Sequence, residues 1–465
     1  MASPPISAEE YFYTGTHLLG EGELVAAATA FRYALTLAPD MAEAHANLAW
    51  LSEQNGQALE AEGHYRRALT HNPLQHQTLI NFGAFLTALK RFDEAEAVYQ
   101  HARQVAPESV GLLSNLGMLL ASLQREEEAE ASYRTAIALE PTYRKARFNL
   151  AYLLLRQGRY KEGWACMEAR ESTSAFAKHL PFPRWQGEAL GGKSLLIVVE
   201  GGFGDTIQFC RYAALAKKNG AIHIAVLCQP ELMRLLSNMP SIDDVIGYDE
   251  SLPNTAWDYW TMSLSLPFLF DTTLDTIPAT LPYLFAETES VQHWKQVVDD
   301  GRANLRIGIA WQGNPHFEND ADRSLASPAL LAPLDAIPHT RYFSLQKQRD
   351  GKINTTASLS FCDLTSRMHD FADTAAIMMN LDLVITVDTA VAHLAGALGK
   401  PCWVLLPAYK PDWRWLAGRD DSPWYPHVMR LFRQQHAGDW APVIQQLISA
   451  LRLLTKQQYE NDNNE

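Results

Sequence analysis

The chain has 465 residues, 47% of them hydrophobic and 20% charged, which is a folded globular composition too long for one ordinary core. With 53 acidic residues against 39 basic ones, the formal net charge is −14. That disfavours a chain-wide surface for nucleic acid or anionic membrane, though not a local basic pocket. The apolar runs are strand-sized, and the opening M-A-S-P-P-I-S-A-E-E has neither a basic n-region nor an apolar h-region. The five cysteines (Cys166, Cys210, Cys228, Cys362, Cys402) show no C-x-x-C spacing. Together these features suit reduced thiols and a cytoplasmic location.

The first organised segment, residues 8–170, is a repeat. Pro39, Pro73, Pro107 and Pro141 recur every 34 residues. Counted back from each proline, one column reads Ala34, Ala68, Ala102, Ala136, and a second reads Phe31, Tyr65, Tyr99, Tyr133. A third reads Ala27, Ala61, Ala95, Ala129, and the first-helix column reads Gly15, Ala49, Gly83, Gly117. This is the tetratricopeptide period. Small residues let paired helices approach, the aromatic fills the gap beside them, and the proline stops the second helix. A fifth unit begins at Arg144 and departs from the pattern at Gly163 and Trp164, with no closing proline, as a capping unit does. Such an array stacks into a superhelix whose concave side docks protein or peptide; a spacer or dimerisation arm is the plain alternative. Asn47, Asn81, Asn115 and Asn149 also recur at 34 residues and are candidate acceptor-docking positions, with a solvated face as the alternative.

Residues 171–192 read as a linker, broken by Phe182-Pro183-Arg184-Trp185 and Gly191-Gly192, and a cut near Pro181 is expected to separate the repeats from the C-terminal part of the chain. Strand and helix then alternate, so a parallel α/β sheet is expected. The expected elements are a strand at Ser194–Val199, a glycine turn carrying Gly201, Gly202 and Gly204, one helix over Asp205–Asn219, a strand at Ile222–Leu227 and a helix at Glu231–Asn238. G-G-F-G-D-T-I lacks the third glycine of the dinucleotide fingerprint, and Cys228-Gln229 ends the second strand where an acid belongs, so a nicotinamide or flavin site is disfavoured. Asp205 is either a helix cap or a general base at the mouth of the sheet.

A second series starts at Leu305–Trp311 and enters Gln312-Gly313-Asn314-Pro315, then a polar loop from Phe317 to Ser324. Tyr342–Leu345 is a strand ending at Gln346-Lys347, and Asp373–Asn380 a helix. Leu383–Val387 is a strand, Ala390–Leu398 a helix, and Cys402–Leu406 the closing strand. Thr389 and the amides after it open a helix aimed at the strand ends, which is an anion site by dipole and geometry, and His393 lies one turn further. A plain capped turn with a core histidine is the alternative. D-A-D at Asp320–Asp322 sits in a polar loop instead of after a strand, so it is a weak metal motif. The aromatic clusters D-W-R-W and P-W-Y-P, from Asp412 and Pro423, either line a pocket or anchor a core. Phe432 to Gln435 would return the chain toward the first half, Ala441–Leu454 is a closing helix, and residues 456–465 read as a disordered tail.

G-D-T-I, G-I-A-W-Q-G-N-P, V-D-T-A-V-A-H-L and D-W-R-W…D-S-P-W-Y-P, spread from about Lys193 to Arg433, resemble family-9 glycosyltransferases of the lipopolysaccharide heptosyltransferase kind, especially bacterial members fused to tetratricopeptide repeats. The resemblance implies a GT-B pair of Rossmann-like domains, an acceptor side at 193–300 and a nucleotide-sugar side at 301–455. It implies Asp205 as base, with Asp388, Thr389, Ala390 and His393 on the donor's sugar and diphosphate, and Gln312, Asn314, Lys347 and Arg323 around them. Heptosyltransferases carry Gly where Ala390 stands, and their phosphate-binding lysine has no obvious match; Arg323 would replace it bidentately. The implied activity is metal-independent, inverting glycosyl transfer from a nucleotide sugar to a hydroxyl on a protein presented by the repeats, with no cofactor. The alternatives are transfer to a lipopolysaccharide or lipid-linked glycan, and a non-catalytic scaffold with a decayed transferase domain.

Overall fold

The computed structural model describes residues 6–170, 180–250, 257–299, 301, 305–347 and 359–462. Residues 171–179 of the expected linker and 463–465 of the expected tail lie outside the described residues. The chain divides into two compact units, Met1–Leu150 and Ala151–Glu465.

The first unit is a run of helical hairpins: α1 Ala8–Gly20, α2 Leu24–Leu37, α3 Ala42–Gln54, α4 Ala58–His71, α5 His76–Ala88, α6 Phe92–Val105, α7 Val110–Ser122 and α8 Glu126–Leu139. The proline column works through the residue ahead of it. Ala38, Asn72, Ala106 and Glu140 all sit at φ between −133° and −143°, where each even-numbered helix stops. A following proline forces that extended conformation, so the clock in the sequence is a clock of helix ends. The small and aromatic columns meet face to face. A Cβ added to Gly15 would lie 2.7 Å from Phe31, one on Gly83 2.3 Å from Tyr99, and one on Gly117 2.5 Å from Tyr133. Phe31, Tyr65 and Tyr99 have no solvent exposure. The helix α9, Arg144–Arg156, spans the division between the units.

The second unit begins with the rest of α9 and with α10, Tyr160–Met167, and then holds two parallel sheets. The first has order β3-β2-β1-β4, from β1 Ser194–Val198, β2 His223–Cys228, β3 Asp244–Gly247 and β4 Tyr259–Met262. Between these strands run α11 Phe203–Phe209, α12 Tyr212–Lys218 and α13 Pro230–Leu236, and the short α14 Leu266–Leu269 follows. Then come α15 Thr288–Val298, β5 Leu305–Ala310, α16 Asp320–Arg323, β6 Thr340–Ser344, β7 Phe361–Asp363, α17 Phe371–Met379, β8 Leu383–Val387, α18 Ala390–Ala397, β9 Cys402–Leu406, β10 Met429–Arg433 and α19 Ala441–Asp462. The second sheet has order β10-β9-β8-β5-β6-β7. The alternating strand and helix pattern thus builds parallel sheets, as expected. Ile307, Ile309, Leu383, Ile385 and Val387 pack with Val443, Ile444, Leu447 and Leu451 of α19.

Four expectations change. The single helix over Asp205–Asn219 is two, because Arg211 stands in a break and its Nε donates to the Gln208 carbonyl at 2.8 Å, taking an acceptor a continuous helix would use. The polar loop after β5 contains the turn of helix α16. Phe432 does not return the chain to the first half: Met429–Arg433 adds an edge strand beside β9, with Phe432 opposite Leu405. The tail from Lys456, expected to be disordered, continues as helix to Asp462, since extending an established helix adds one hydrogen bond per residue without a new nucleus. The part of the linker that is described joins the first sheet: Arg184 bridges Trp260, and the Trp185 amide donates to the Trp260 carbonyl at 2.8 Å.

Candidate functional site

β1 delivers the chain to a glycine turn. Gly201 has φ +84°, and a Cβ there would lie 2.4 Å from Asp205 Oδ2, so the turn requires glycine twice over. Asp205 reaches back and accepts the Gly202 amide at 2.7 Å. It caps α11 from its third position, while Gly202 is the N-cap. Its other oxygen accepts from Arg414 Nη2, which lies beyond β9. Arg414 is buried and holds Asp412 through two bonds of 3.0 Å from Nη1; its Nε donates to Gln208 and its plane lies 4.3 Å from the Trp413 ring centre. Burial lifts the Asp205 carboxyl above the usual range; Arg414 and the Gly202 amide oppose this, and Asp412 and Glu200 add to it. Glu200 is itself clasped by Arg170 at 2.6 and 2.9 Å.

β8 delivers Asp388 and Thr389. Thr389 is the N-cap of α18, its hydroxyl accepting the Val391 amide at 3.2 Å and lying 3.1 Å from the Thr386 hydroxyl. Asp388 is buried; desolvation, reinforced by Asp412, raises its carboxyl to about 7 against the pull of Arg323 and Arg414. Ala390 is the first residue of α18. His393 is 5% exposed, with Nδ1 2.8 Å from the Tyr425 hydroxyl and its ring stacked on Trp415 at 5.3 Å. Burial, with Arg414, Arg211 and Arg323 nearby, holds the imidazole well below its ordinary value and therefore neutral. Across the two sheets, a Cβ on Gly204 would come 2.7 Å from His393 Cδ2, and Phe203 packs on Phe371 with ring centres 4.9 Å apart. α11 and α18 thus approach at a distance that glycine permits.

The structure brings Asp205, Asp388, His393 and Arg323 into one charged neighbourhood around Arg414 and Asp412. Arg323 ion-pairs with Asp320 at 3.1 Å and lies 4.3 Å from the Phe317 ring centre. Gln312 and Trp311 give their amides to Gln346 Oε1 at 2.9 and 3.1 Å, tying the ends of β5 and β6 together. Asn314 is exposed and accepts the His316 amide within its own turn at 3.1 Å, and Lys347 is exposed and donates to the His369 carbonyl at 2.8 Å. Neither makes a described contact with the cluster. In the repeats, Asn115 is buried and accepts from Lys145 at 3.0 Å, Asn81 accepts from Gln77 at 2.8 Å, and Asn47 and Asn149 are half-buried. Asn81 is half-buried as well, so three of the four share one degree of burial and Asn115 is buried more deeply.

Arg414, Asp412, Tyr425 and Arg211 were not among the expected site residues. For Arg414, Asp412 and Tyr425 the signal in the sequence is the density of the two aromatic clusters that contain them; Arg211 lies in neither. Trp413, Trp415 and Trp424 anchor the core, and the residues between or beside them reach the site. A cavity of about 440 Å³ opens elsewhere, between α10 and α14, lined by Trp164, Pro267 and Phe268 among others; no expected site residue lines it. Among the described residues, no group of three or more His, Cys, Asp or Glu side chains is arranged to hold a metal ion. No described helix is long and apolar enough to cross a membrane.

The fold is that of helical repeats joined to an α/β region with two parallel sheets. Comparison with known proteins agrees. Tetratricopeptide repeat families match residues 74–142, and 14–76 with 127–163, and glycosyltransferase family 9 (heptosyltransferase) matches residues 345–411. Protein FlbA of Caulobacter vibrioides is 28% identical over 335 residues, covering 66% of this chain and 54% of FlbA; the chain spans about half the length of that relative. Among solved structures, PilF of Pseudomonas aeruginosa is similar over 46% of this chain and 86% of its own, at 22% identity and a TM-score of 0.35. A thermophilic tetratricopeptide protein of Thermus thermophilus is similar over 37% of this chain and 95% of its own, at 25% identity and a TM-score of 0.33. The chain thus resembles tetratricopeptide-repeat proteins fused to a family-9 glycosyltransferase.

Proposed function

We propose that the chain is a GT-B glycosyltransferase that moves a sugar from a nucleotide donor to a hydroxyl on a polypeptide held by the repeats. One observation carries the reading: the glycine turn after β1 and the Asp-Thr turn after β8 end parallel strands of two different sheets, and their helices meet at Gly204 and His393. Ligands of parallel sheets bind outside the carboxyl ends of the strands. In this reading the donor's diphosphate sits at the N-terminus of α18, where amides, Thr389 and the Arg323 guanidinium meet its charge. Asp205 takes the proton of the acceptor hydroxyl as that oxygen attacks the anomeric carbon from the face opposite the leaving diphosphate, inverting the centre. A carboxyl lifted by burial is a stronger base than a solvated one, and Arg414 sets its position. His393, being neutral, offers a hydrogen bond instead of a charge.

The test is a calorimetric screen with ADP-, UDP-, GDP- and CMP-sugars, followed by Thr389→Val and His393→Ala with folding checked by circular dichroism. One donor class should bind, and each substitution should weaken it about tenfold or more, in keeping with charge-assisted hydrogen bonds worth about 1.5–3 kcal/mol. Unchanged affinity in both variants would sink the assignment. A chain that binds no nucleotide sugar would be the scaffold alternative.

A further inference from the structure

His393 is buried at 5% exposure, yet only one of its ring nitrogens has a hydrogen-bond partner among the described residues. Nδ1 meets the Tyr425 hydroxyl at 2.8 Å. Nε2 has no hydrogen-bond partner among the described residues, and its edge of the ring faces Gly204: a Cβ there would lie 3.4 Å from Nε2. A buried ring with one nitrogen unpartnered at the junction of the two sheets can bond a ligand there. Which proton it carries depends on Tyr425, and Tyr425 is held by its neighbours. Arg211 is 2% exposed and has no carboxylate in its hydrogen-bond set among the described residues. It donates to the Trp424 carbonyl and to the Tyr283 hydroxyl, each at 2.7 Å, and its guanidinium lies 4.7 Å from the Tyr425 ring centre. Tyr283 gives its own proton to the Ile207 carbonyl at 2.9 Å. Its oxygen takes the Arg211 hydrogen, and its hydroxyl also interacts with that of Tyr425, side chain to side chain. For the Tyr425 proton, His393 Nδ1 is the acceptor in hydrogen-bond geometry among the described residues.

We propose that Tyr425, clamped by Arg211 and Tyr283, is a positioning residue that donates to His393 Nδ1 and thereby fixes His393 as an Nε2–H donor to the diphosphate of the nucleotide sugar. The proposal rests on the donor-site reading above for its ligand, but not for its tautomer. A hydroxyl that gives its proton to Nδ1 leaves the neutral ring's hydrogen on Nε2. The Arg211 charge beside Tyr425 and Tyr283 disfavours a second positive charge on the imidazole. Tyr425 packs tightly, since a Cβ on Gly396 would lie 2.3 Å from its ring, so its hydroxyl cannot swing elsewhere without repacking α18.

Nitrogen-15 spectra of the full chain, labelled in histidine and without ligand, read the tautomer directly; the His393 signal is assigned by its loss in His393→Gln. The wild type should show a protonated Nε2 and a bare Nδ1. Tyr425→Phe keeps the ring and removes the hydroxyl. It should keep the melting temperature, give His393 a mixture of tautomers, and weaken binding of the matching nucleoside diphosphate about five- to tenfold. His393→Gln places an amide N–H near the Nε2 position and should retain most of the affinity, whereas His393→Asn, whose amide sits near Nδ1, should not. Tyr425→Phe should add nothing further in the His393→Gln background. A protonated Nδ1 in the wild type, a tautomer unmoved by Tyr425→Phe, or Gln no better than Asn would overturn the proposal. Absence of nucleoside diphosphate binding by the wild type would overturn the donor-site reading instead, and the spectrum of the unliganded chain would still decide the role of Tyr425.

Discussion

Arg414 decides how Asp205 behaves. The carboxylate is pulled two ways: burial, Asp412 and Glu200 favour its protonated form, and Arg414 with the Gly202 amide favours its ionised form. Tyr152 is another titratable group that senses this charge. Replacing Arg414 removes the main opposing charge, so the Asp205 pKa must rise. A base works only when deprotonated, so the acid limb of a kcat/KM profile should move to higher pH in Arg414→Gln, and by less in Arg414→Lys, which keeps the charge without the fork. Asp205→Asn, which retains most of the capping ability, should lower turnover by about 100-fold or more with little loss of stability. A profile whose acid limb stays in place in Arg414→Gln would remove Asp205 as the base. The contrast between these residues shows what was legible. Asp205, Asp388, Thr389 and His393 stand at helix starts after strands, a local pattern that can be read along the chain. Arg414 meets Asp205 across 209 positions of sequence, and no local spacing encodes that pairing.

At the scale of elements, the repeats and the central strands were written in short-range periodicity. β8 and β9 have the bounds their apolar runs imply. β3, β4, β7 and β10 are short or lie at sheet edges, where a few residues with mixed burial leave too little pattern to read. The repeat columns make a sharp prediction. Gly83 faces Tyr99, yet the same column carries Ala49 in the second repeat, so one extra methyl can be absorbed by a small shift. Gly83→Ala should therefore change stability by less than about 1 kcal/mol, the helix preference of alanine offsetting the crowding. Gly83→Leu cannot be absorbed and should cost on the order of 2–3 kcal/mol or more. Denaturant melts that rank the two variants equally would mean that the column has no packing role.

At the scale of the whole chain, the fifth hairpin carries the main revision. Gly163 and Trp164 broke the repeat pattern, and the structure shows what they do instead. Trp164 is 1% exposed and packs edge-on against Trp413, Trp424 and Phe209, with ring centres 5.1–6.5 Å away. The Tyr160 hydroxyl accepts from the Trp424 indole at 2.9 Å, and Arg170 clasps Glu200. Residues 160–170 are thus part of the core that supports Arg414. A cut near Pro181, which the linker composition suggests, would strip them away. Trp→Ala in a core costs about 3–5 kcal/mol, and this cut also removes the Arg170 guanidinium that clasps the buried Glu200. A fragment spanning 181–465 should therefore aggregate or melt at least about 10 °C below the parent, while one spanning 144–465, with α9 and α10 intact, should fold and keep the donor affinity of the full chain. If the repeats present the acceptor, that longer fragment should also lose transfer to a polypeptide while retaining slow hydrolysis of the donor. Equal stability of the two fragments would remove residues 160–170 from the core of the α/β region, and full-rate transfer by the longer one would end the docking role of the repeats.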